Sequence, residues 1–70
     1  MPSTVIRSYR YDADSQRLLI VFQTGRRYVY ADVPLDVFEG LRAAHSRGAY
    51  FNAHIRDRYD FKSLEDSPPG

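Results

Sequence analysis

Five apolar residues in succession, Leu18-Leu19-Ile20-Val21-Phe22, form the most hydrophobic stretch of the chain. With their flanks at 17 and 23 they predict a strand that is apolar on both faces. Such a strand normally lies in the middle of a sheet, covered on each side. A Thr24-Gly25 corner follows, then Arg26-Arg27-Tyr28-Val29-Tyr30, a second extended segment rich in aromatic and β-branched residues. If Thr24-Gly25 is a two-residue hairpin loop, Gly25 supplies the positive φ that the turn needs. The register that results sets Val21 against Tyr28 and Leu19 against Tyr30 on one face, and Ile20 against Val29 and Phe22 against Arg27 on the other. A slip of one residue would exchange the faces. Upstream, residues 4–11 hold Val5, Ile6, Tyr9 and Tyr11 and predict a first strand with imperfect alternation. Val5, Arg7, Tyr9 and Tyr11 share one of its faces; Ile6, Ser8 and Arg10 share the other. Asp12-Ala13-Asp14-Ser15-Gln16 between them has the polar side chains that close a turn on their own backbone.

After Tyr30 the period changes. Pro34 suits the first turn of a helix, where a missing N–H costs nothing, and Asp36 suits its positive end. Val37, Phe38, Leu41 and Ala44 recur at helical spacing, with Asp36, Glu39 and Arg42 on the wet side. His45-Ser46-Arg47-Gly48 breaks the pattern, and Ser46 is placed to cap a second helix from about 49 to 58. Phe51 and Ile55, with Tyr59 near its end, mark that helix's buried side. Phe38, Leu41, Phe51 and Ile55 are the expected helical core. Strands followed by helices argue an α+β domain. Its simplest form is a three-stranded antiparallel β-meander packed against two short C-terminal helices, over residues 3–62. Met1-Pro2-Ser3 reads as a loose terminus. Residues 63–70, ending Ser67-Pro68-Pro69-Gly70, read as a flexible tail. No repeat or linker divides the chain.

Seventy residues make one domain with a small core and little room for a deep active site. The formal net charge is only +1, far from a strongly basic domain, yet nine of the ten basic residues are arginine. Arginine suits bidentate phosphate or carboxylate contacts and stacking. With no cysteine, disulfides, thiolate metal sites and cysteine nucleophiles are excluded. Nothing reads as a signal peptide, and the longest apolar run is far too short to span a bilayer. A cytoplasmic location, no membrane contact and no cofactor are expected.

The ordered set Ser8-Tyr9, Leu18-Leu19-Ile20-Val21-Phe22, Gly25, Tyr28-Val29-Tyr30 and Val33-Pro34 resembles the KTSC domain. So does Ala44-His45-Ser46-Arg47-Gly48-Ala49-Tyr50-Phe51-Asn52 followed by Ile55-Arg56. That family is a short module at the C-terminus of some lysyl-tRNA synthetases and a stand-alone small bacterial protein. Its central mark, Tyr-x-Tyr, is matched by Tyr28 and Tyr30, and the resemblance runs from about 3 to 61. RNA binding is what the synthetase context of the family implies.

The chemistry on offer is sparse. Tyr28 and Tyr30 on one strand face stand roughly 6.5–7 Å apart, wide enough for each ring to hold an unstacked base. The alternative is that the rings pack under the helices as core. Arg26 and Arg27 begin the same strand. With Arg56 and Arg58, or Arg7 and Arg10, they make a basic rim if they converge, and a solvated set of charges beside Asp32, Asp57 and Asp60 if they do not. Asn52 and Arg56 share a helix face at i, i+4 and can hydrogen-bond a ligand or each other. Ser46-Arg47-Gly48, with one glycine and no lysine, falls short of a phosphate loop. His45 and His54 match no metal-ligand spacing, so no metal is expected. A Ser46–His54–Asp57 triad can be written, but no nucleophile-elbow pattern supports it. The sequence therefore points to a non-enzymatic binding module for RNA or a ribonucleoprotein, using Arg26, Arg27, Tyr28, Tyr30, Asn52 and Arg56. The competing expectation is a protein-interaction module or homodimer, through an exposed aromatic face or the edge strand at 4–11.

Overall fold

In a computed structural model, which describes residues 6–64, the chain forms three successive strands, β1 (Ile6–Asp12), β2 (Arg17–Phe22) and β3 (Arg27–Tyr30). Helices α1 (Leu35–Ala43) and α2 (Arg47–His54) follow, then a short strand β4 (Phe61–Ser63). The strands make one antiparallel sheet in the order β1-β2-β3-β4. The meander followed by two helices is the expected α+β architecture, with β4 added along the free edge of β3. Three residues are too few to show a period of two, which is why β4 left no mark in the pattern. Its last residue and Leu64 belong to the sheet edge: the Leu64 N–H donates to the Arg27 carbonyl at 2.8 Å. The remainder of the expected tail (65–70), the expected loose terminus (1–3) and the first two positions of the expected first strand, Thr4 and Val5, lie outside the described residues.

The β2–β3 register differs by one residue from that of a two-residue loop. Leu18 faces Tyr30, Leu19 faces Val29, Ile20 faces Tyr28 and Val21 faces Arg27. The cause lies in the loop. Gly25 N–H donates to the Phe22 carbonyl at 2.8 Å, Phe22 N–H donates to the Arg26 carbonyl at 2.9 Å, and Gly25 has φ +94°. This is a three-residue connection, Gln23-Thr24-Gly25, with the positive φ at its last position, the common alternative to a two-residue turn. The extra residue moves Tyr28 and Tyr30 onto the face of Ile20 and Leu18, and leaves Leu19, Val21, Arg27 and Val29 on the other.

A bulge repairs the imperfect alternation of β1. Ile6 pairs with Phe22, but Ser8 pairs with Val21, so the register shifts by one between them. Ile6, Tyr9 and Tyr11 thereby all turn inward, while Arg7, Ser8 and Arg10 stay exposed. The Asp12–Gln16 turn closes as expected: Asp14 N–H and Ser15 Oγ–H both donate to the Asp12 carboxylate, at 3.1 and 2.9 Å.

Both helices cover one face of the sheet. Leu18 and Ile20 of β2, Tyr30 of β3, Val33, Leu41 of α1, Phe51 of α2 and Ile55 are buried together. Burying each such side chain favours folding by about 1.5–3 kcal/mol. Leu41, Phe51 and Ile55 are the core residues the helical spacing predicts. Phe38 is only half-buried: its ring stacks on Tyr11 at 4.6 Å and meets Tyr9 edge-on at 5.9 Å, near the outer end of β1. The Tyr11 hydroxyl donates to the Val33 carbonyl at 2.6 Å, which ties β1 to the segment leading into α1. β2 is central, but no element among the described residues covers its second face, where Leu19 and Val21 stay half-buried.

The second helix is shorter than expected and starts earlier. Ser46 caps it, its Oγ accepting from Ala49 N–H at 3.2 Å. It ends at Ile55, whose φ of −122° leaves the helical region and swings its side chain fully into the core. Pro34 stands at the cap position of α1, extended at ψ 156°, rather than inside the first turn.

Candidate functional site

The register places Tyr28 and Tyr30 under α2 and beside β4, where they join three phenylalanines. Phe22 meets Tyr28 at 5.6 Å, Tyr28 meets Phe61 at 5.2 Å and Phe61 meets Tyr30 at 5.2 Å. Tyr30 meets Phe51 and Phe51 meets Phe22, both at 5.4 Å, which closes the circuit. Edge-on and tilted contacts at this spacing let each ring's positive edge face a neighbour's negative face, worth about 0.5–1.5 kcal/mol per pair. The five rings come from β2, β3, α2 and β4, so the circuit holds together elements from both halves of the chain.

A cleft of about 480 Å³ opens over this aromatic ring, with Gln23, Thr24 and Arg26 of the β2–β3 loop on one side and Arg56 and Asp57 on the other. The loop positions Arg26 at the rim, and the turn after α2 positions Arg56 and Asp57. Arg56, just beyond α2, is steered by that helix: its Nη1 donates to Asn52 Oδ1 at 3.4 Å, one of the two outcomes the i, i+4 spacing allows.

The two tyrosines occupy different depths. Tyr30 is 2% exposed, and its ring is walled in by Phe51 and Phe61. Burial pushes its hydroxyl up to about 12; the neighbouring Tyr28 and Asp57 add to the rise and Arg56 opposes it. Tyr30 thus brings a protonated hydroxyl to the cleft, with its ring faces already occupied. Tyr28 is half-buried and contributes ring to the wall. The geometry departs from a pair of equivalent stacking platforms.

Of the six residues singled out by sequence, Arg26, Tyr28, Tyr30 and Arg56 converge on this cleft. Asn52 reaches it through Arg56. Arg27 pairs with Val21 on the opposite face of the sheet, so the two adjacent arginines do not act together there. Arg7 and Arg10 lie on β1, with β2 between them and β3. Phe22, Phe51, Phe61 and Asp57 are the cleft residues the sequence reading did not assign to a site. Phe51 and Phe22 were legible only as apolar positions in a helix and a strand, Phe61 lies in the undetected strand, and Asp57 read as one charge among several and as a member of an unsupported triad.

Other arrangements are not brought together. Ser46 caps the start of α2 and His54 ends it, roughly 12 Å apart along eight helical residues, so no Ser46–His54–Asp57 triad forms. The His54 ring lies beside Tyr50 at 4.5 Å. Among the described residues there is no cluster of three or more metal-ligating side chains, and no helix long and apolar enough to cross a membrane.

The sequence profile of the KTSC domain matches residues 2–59. A lysine–tRNA ligase of Trichormus variabilis is 39% identical over 59 residues, which is 84% of this chain but 10% of the ligase. The chain thus spans about a tenth of the length of the ligases it matches. A protein of Stutzerimonas stutzeri is 38% identical over 59 residues and is covered over 83% of its own length. The crystal structure of a KTSC domain protein from Yersinia pestis superposes with a TM-score of 0.82 at 29% identity, covering 93% of this chain and 92% of that one.

Proposed function

This chain belongs to the KTSC domain family, and we propose that it is a small cytoplasmic, non-enzymatic binding module whose aromatic cleft holds unpaired RNA. The observation that carries this reading is the convergence of Arg26 and Arg56 on the mouth of a cleft walled by Phe22, Tyr28 and Phe61. Aromatic walls accept the faces of unstacked bases, and guanidiniums take the phosphates that flank them. The relatives that are lysine–tRNA ligases carry in their name a reaction on an RNA, which agrees with a nucleic-acid ligand for the shared module. The polar side chains of the cleft are two guanidiniums, one carboxylate, two phenols, the Gln23 amide and the Thr24 hydroxyl, a set suited to holding a ligand.

The test is a salt titration of affinity for short single-stranded RNAs. Each phosphate contact contributes about 0.7 to the slope of log affinity against log salt. Arg26→Ala with Arg56→Ala should flatten the slope by about 1.4 and weaken all sequences alike. Arg27→Ala, on the far face, should leave it within about 0.3 of the parent, less than half of one contact. A folded parent that binds no RNA at low salt refutes the reading.

A second reading rests on the uncovered sheet face. Leu19, Val21 and Val29 lie there half-buried, with Leu64, 43% exposed, beside Val29 and Lys62 at its edge. A protein partner or a second copy of the chain would cover this face. The molecular mass in solution decides for or against the homodimer.

A further inference from the structure

Resting on the RNA reading of the same cleft, we propose that it takes a single unpaired nucleotide and selects guanine, with the Asp57 carboxylate reading the base. The size of the cleft limits its content. At about 480 Å³ it lies in the range of small-molecule sites, about 300–1,000 Å³, and suits one nucleotide rather than a stacked run. The burial of Tyr30 points the same way, because its ring is closed off and the half-buried Tyr28, with Phe61 at 51% exposed, is the wall left to a base.

Charge decides the class of ligand. A cage of aromatic rings with a carboxylate would suit an alkylammonium cation. Here two guanidiniums, Arg26 and Arg56, share the cleft with Asp57, so the balance favours a ligand that is anionic overall and aromatic in part. A nucleotide has both properties: its phosphate meets the arginines and its base lies against the rings.

The identity of the base follows from the carboxylate. An ionised Asp is an acceptor only. On its Watson–Crick edge guanine offers two neighbouring donors, N1–H and the N2 amino group, which match the two oxygens of one carboxylate. Adenine and cytosine each set a bare ring nitrogen beside their single amino group, and that lone pair would face a carboxylate oxygen. Uracil offers one N–H between two carbonyls. Tyr30 adds to the match: it lines the same cleft as Asp57, and its phenol O–H is a donor for the O6 carbonyl beside guanine N1. Arg56 neighbours Asp57 in sequence and is held toward Asn52, an arrangement that keeps its guanidinium at the rim.

The experiment uses the full chain and short oligouridines that carry one central guanosine, inosine, adenosine or cytidine. Affinities are measured by fluorescence anisotropy at low salt. Guanosine should bind roughly tenfold more tightly than adenosine, the low end for a bidentate base contact because Asp57 is exposed. Inosine, which keeps N1–H and lacks the N2 amino group, should fall between them. Asp57→Asn should bring guanosine down to the level of adenosine without weakening the other oligonucleotides. Equal binding of all four by the parent overturns guanine selection and leaves the RNA reading standing. A guanosine preference that survives Asp57→Asn overturns the role of Asp57. If no oligonucleotide binds, the RNA reading itself fails and this inference falls with it.

Discussion

Gly40 provides a test in which local propensity and tertiary packing predict opposite signs. It lies inside α1 and is half-buried, and glycine inside a helix costs about 0.8–1.0 kcal/mol relative to alanine. On that ground Gly40→Ala should stabilise the protein. The ring of Tyr50, from α2, leans on this position, and its hydroxyl donates to the Val37 carbonyl at 3.1 Å. A Cβ on residue 40 would lie 2.6 Å from Tyr50 Cζ and 2.9 Å from Cε2. A planar ring cannot yield at one atom, so the whole side chain must move and the bond to Val37 is lost. Overpacking costs about 1–3 kcal/mol and the lost hydrogen bond about 0.5–1.5 kcal/mol, against the gain of about 1 kcal/mol in propensity. The expected net is a destabilisation of about 1–3 kcal/mol, a fall in Tm of roughly 5–20 °C for a domain of this size. Thermal melts followed by circular dichroism, with urea titrations, measure it. Tyr50→Leu supplies the control, since leucine ends short of the colliding atoms. In that background Gly40→Ala should raise stability by up to about 1 kcal/mol, a reversal of sign that exposes the coupling. A Gly40→Ala variant that melts at or above the parent, or that costs the same in both backgrounds, would show that the ring does not determine this position.

Three further outcomes are expected. Leu41→Ala removes a fully buried side chain from the meeting point of α1 and the sheet; it should cost about 2–5 kcal/mol, read as a lowered urea midpoint. Ser46→Ala removes the oxygen that accepts from Ala49 N–H and should cost about 0.5–2 kcal/mol, with Ser46→Asn restoring most of it. Because Tyr30 binds its proton more tightly folded than unfolded, the stability it confers is complete below about pH 10 and is lost as pH rises towards about 12. Tyr30→Phe should therefore lower the dependence of stability on pH in that window by roughly 1–3 kcal/mol, and an unchanged alkaline profile would contradict its burial.

The legible and illegible parts of this fold divide along physical lines. The helix phase of Leu41, Phe51 and Ile55, the Ser46 cap and the Asp12 turn depend on neighbours a few residues away, and the chain states them directly. The β2–β3 register depends on whether the loop has two residues or three. Thr24-Gly25 suits either, because both place a positive φ at glycine and differ only in which residues flank it. That one choice decided which residues of β2 share a face with Tyr28 and Tyr30; Arg26 and Arg27, neighbours in the chain, stand on opposite faces in either register. The β1 bulge was written in the sequence as a broken alternation, Ile6 followed by Tyr9 and Tyr11, but a broken alternation also describes a poor strand. The cleft was half legible: Tyr28, Tyr30, Arg26 and Arg56 carry the chemistry that suggests a site. Phe61 was not, because its strand exists only through pairing with β3.

That pairing bears on the order in which the molecule assembles. β1, β2 and β3 are joined by short connections, so their contacts close small loops early. β4 must wait until both helices have brought the chain back, since Phe61 pairs with Tyr30 across the whole α1–α2 segment. Its three residues are all exposed. A strand so short and so late contributes little to the folding nucleus and opens at small free-energy cost. Its backbone amides should exchange with solvent well ahead of those in β2, on a protein that is otherwise intact. One wall of the cleft is therefore its least kinetically guarded part, and a ligand lying against Phe61 would slow amide exchange most at β4, far from the centre of the sheet.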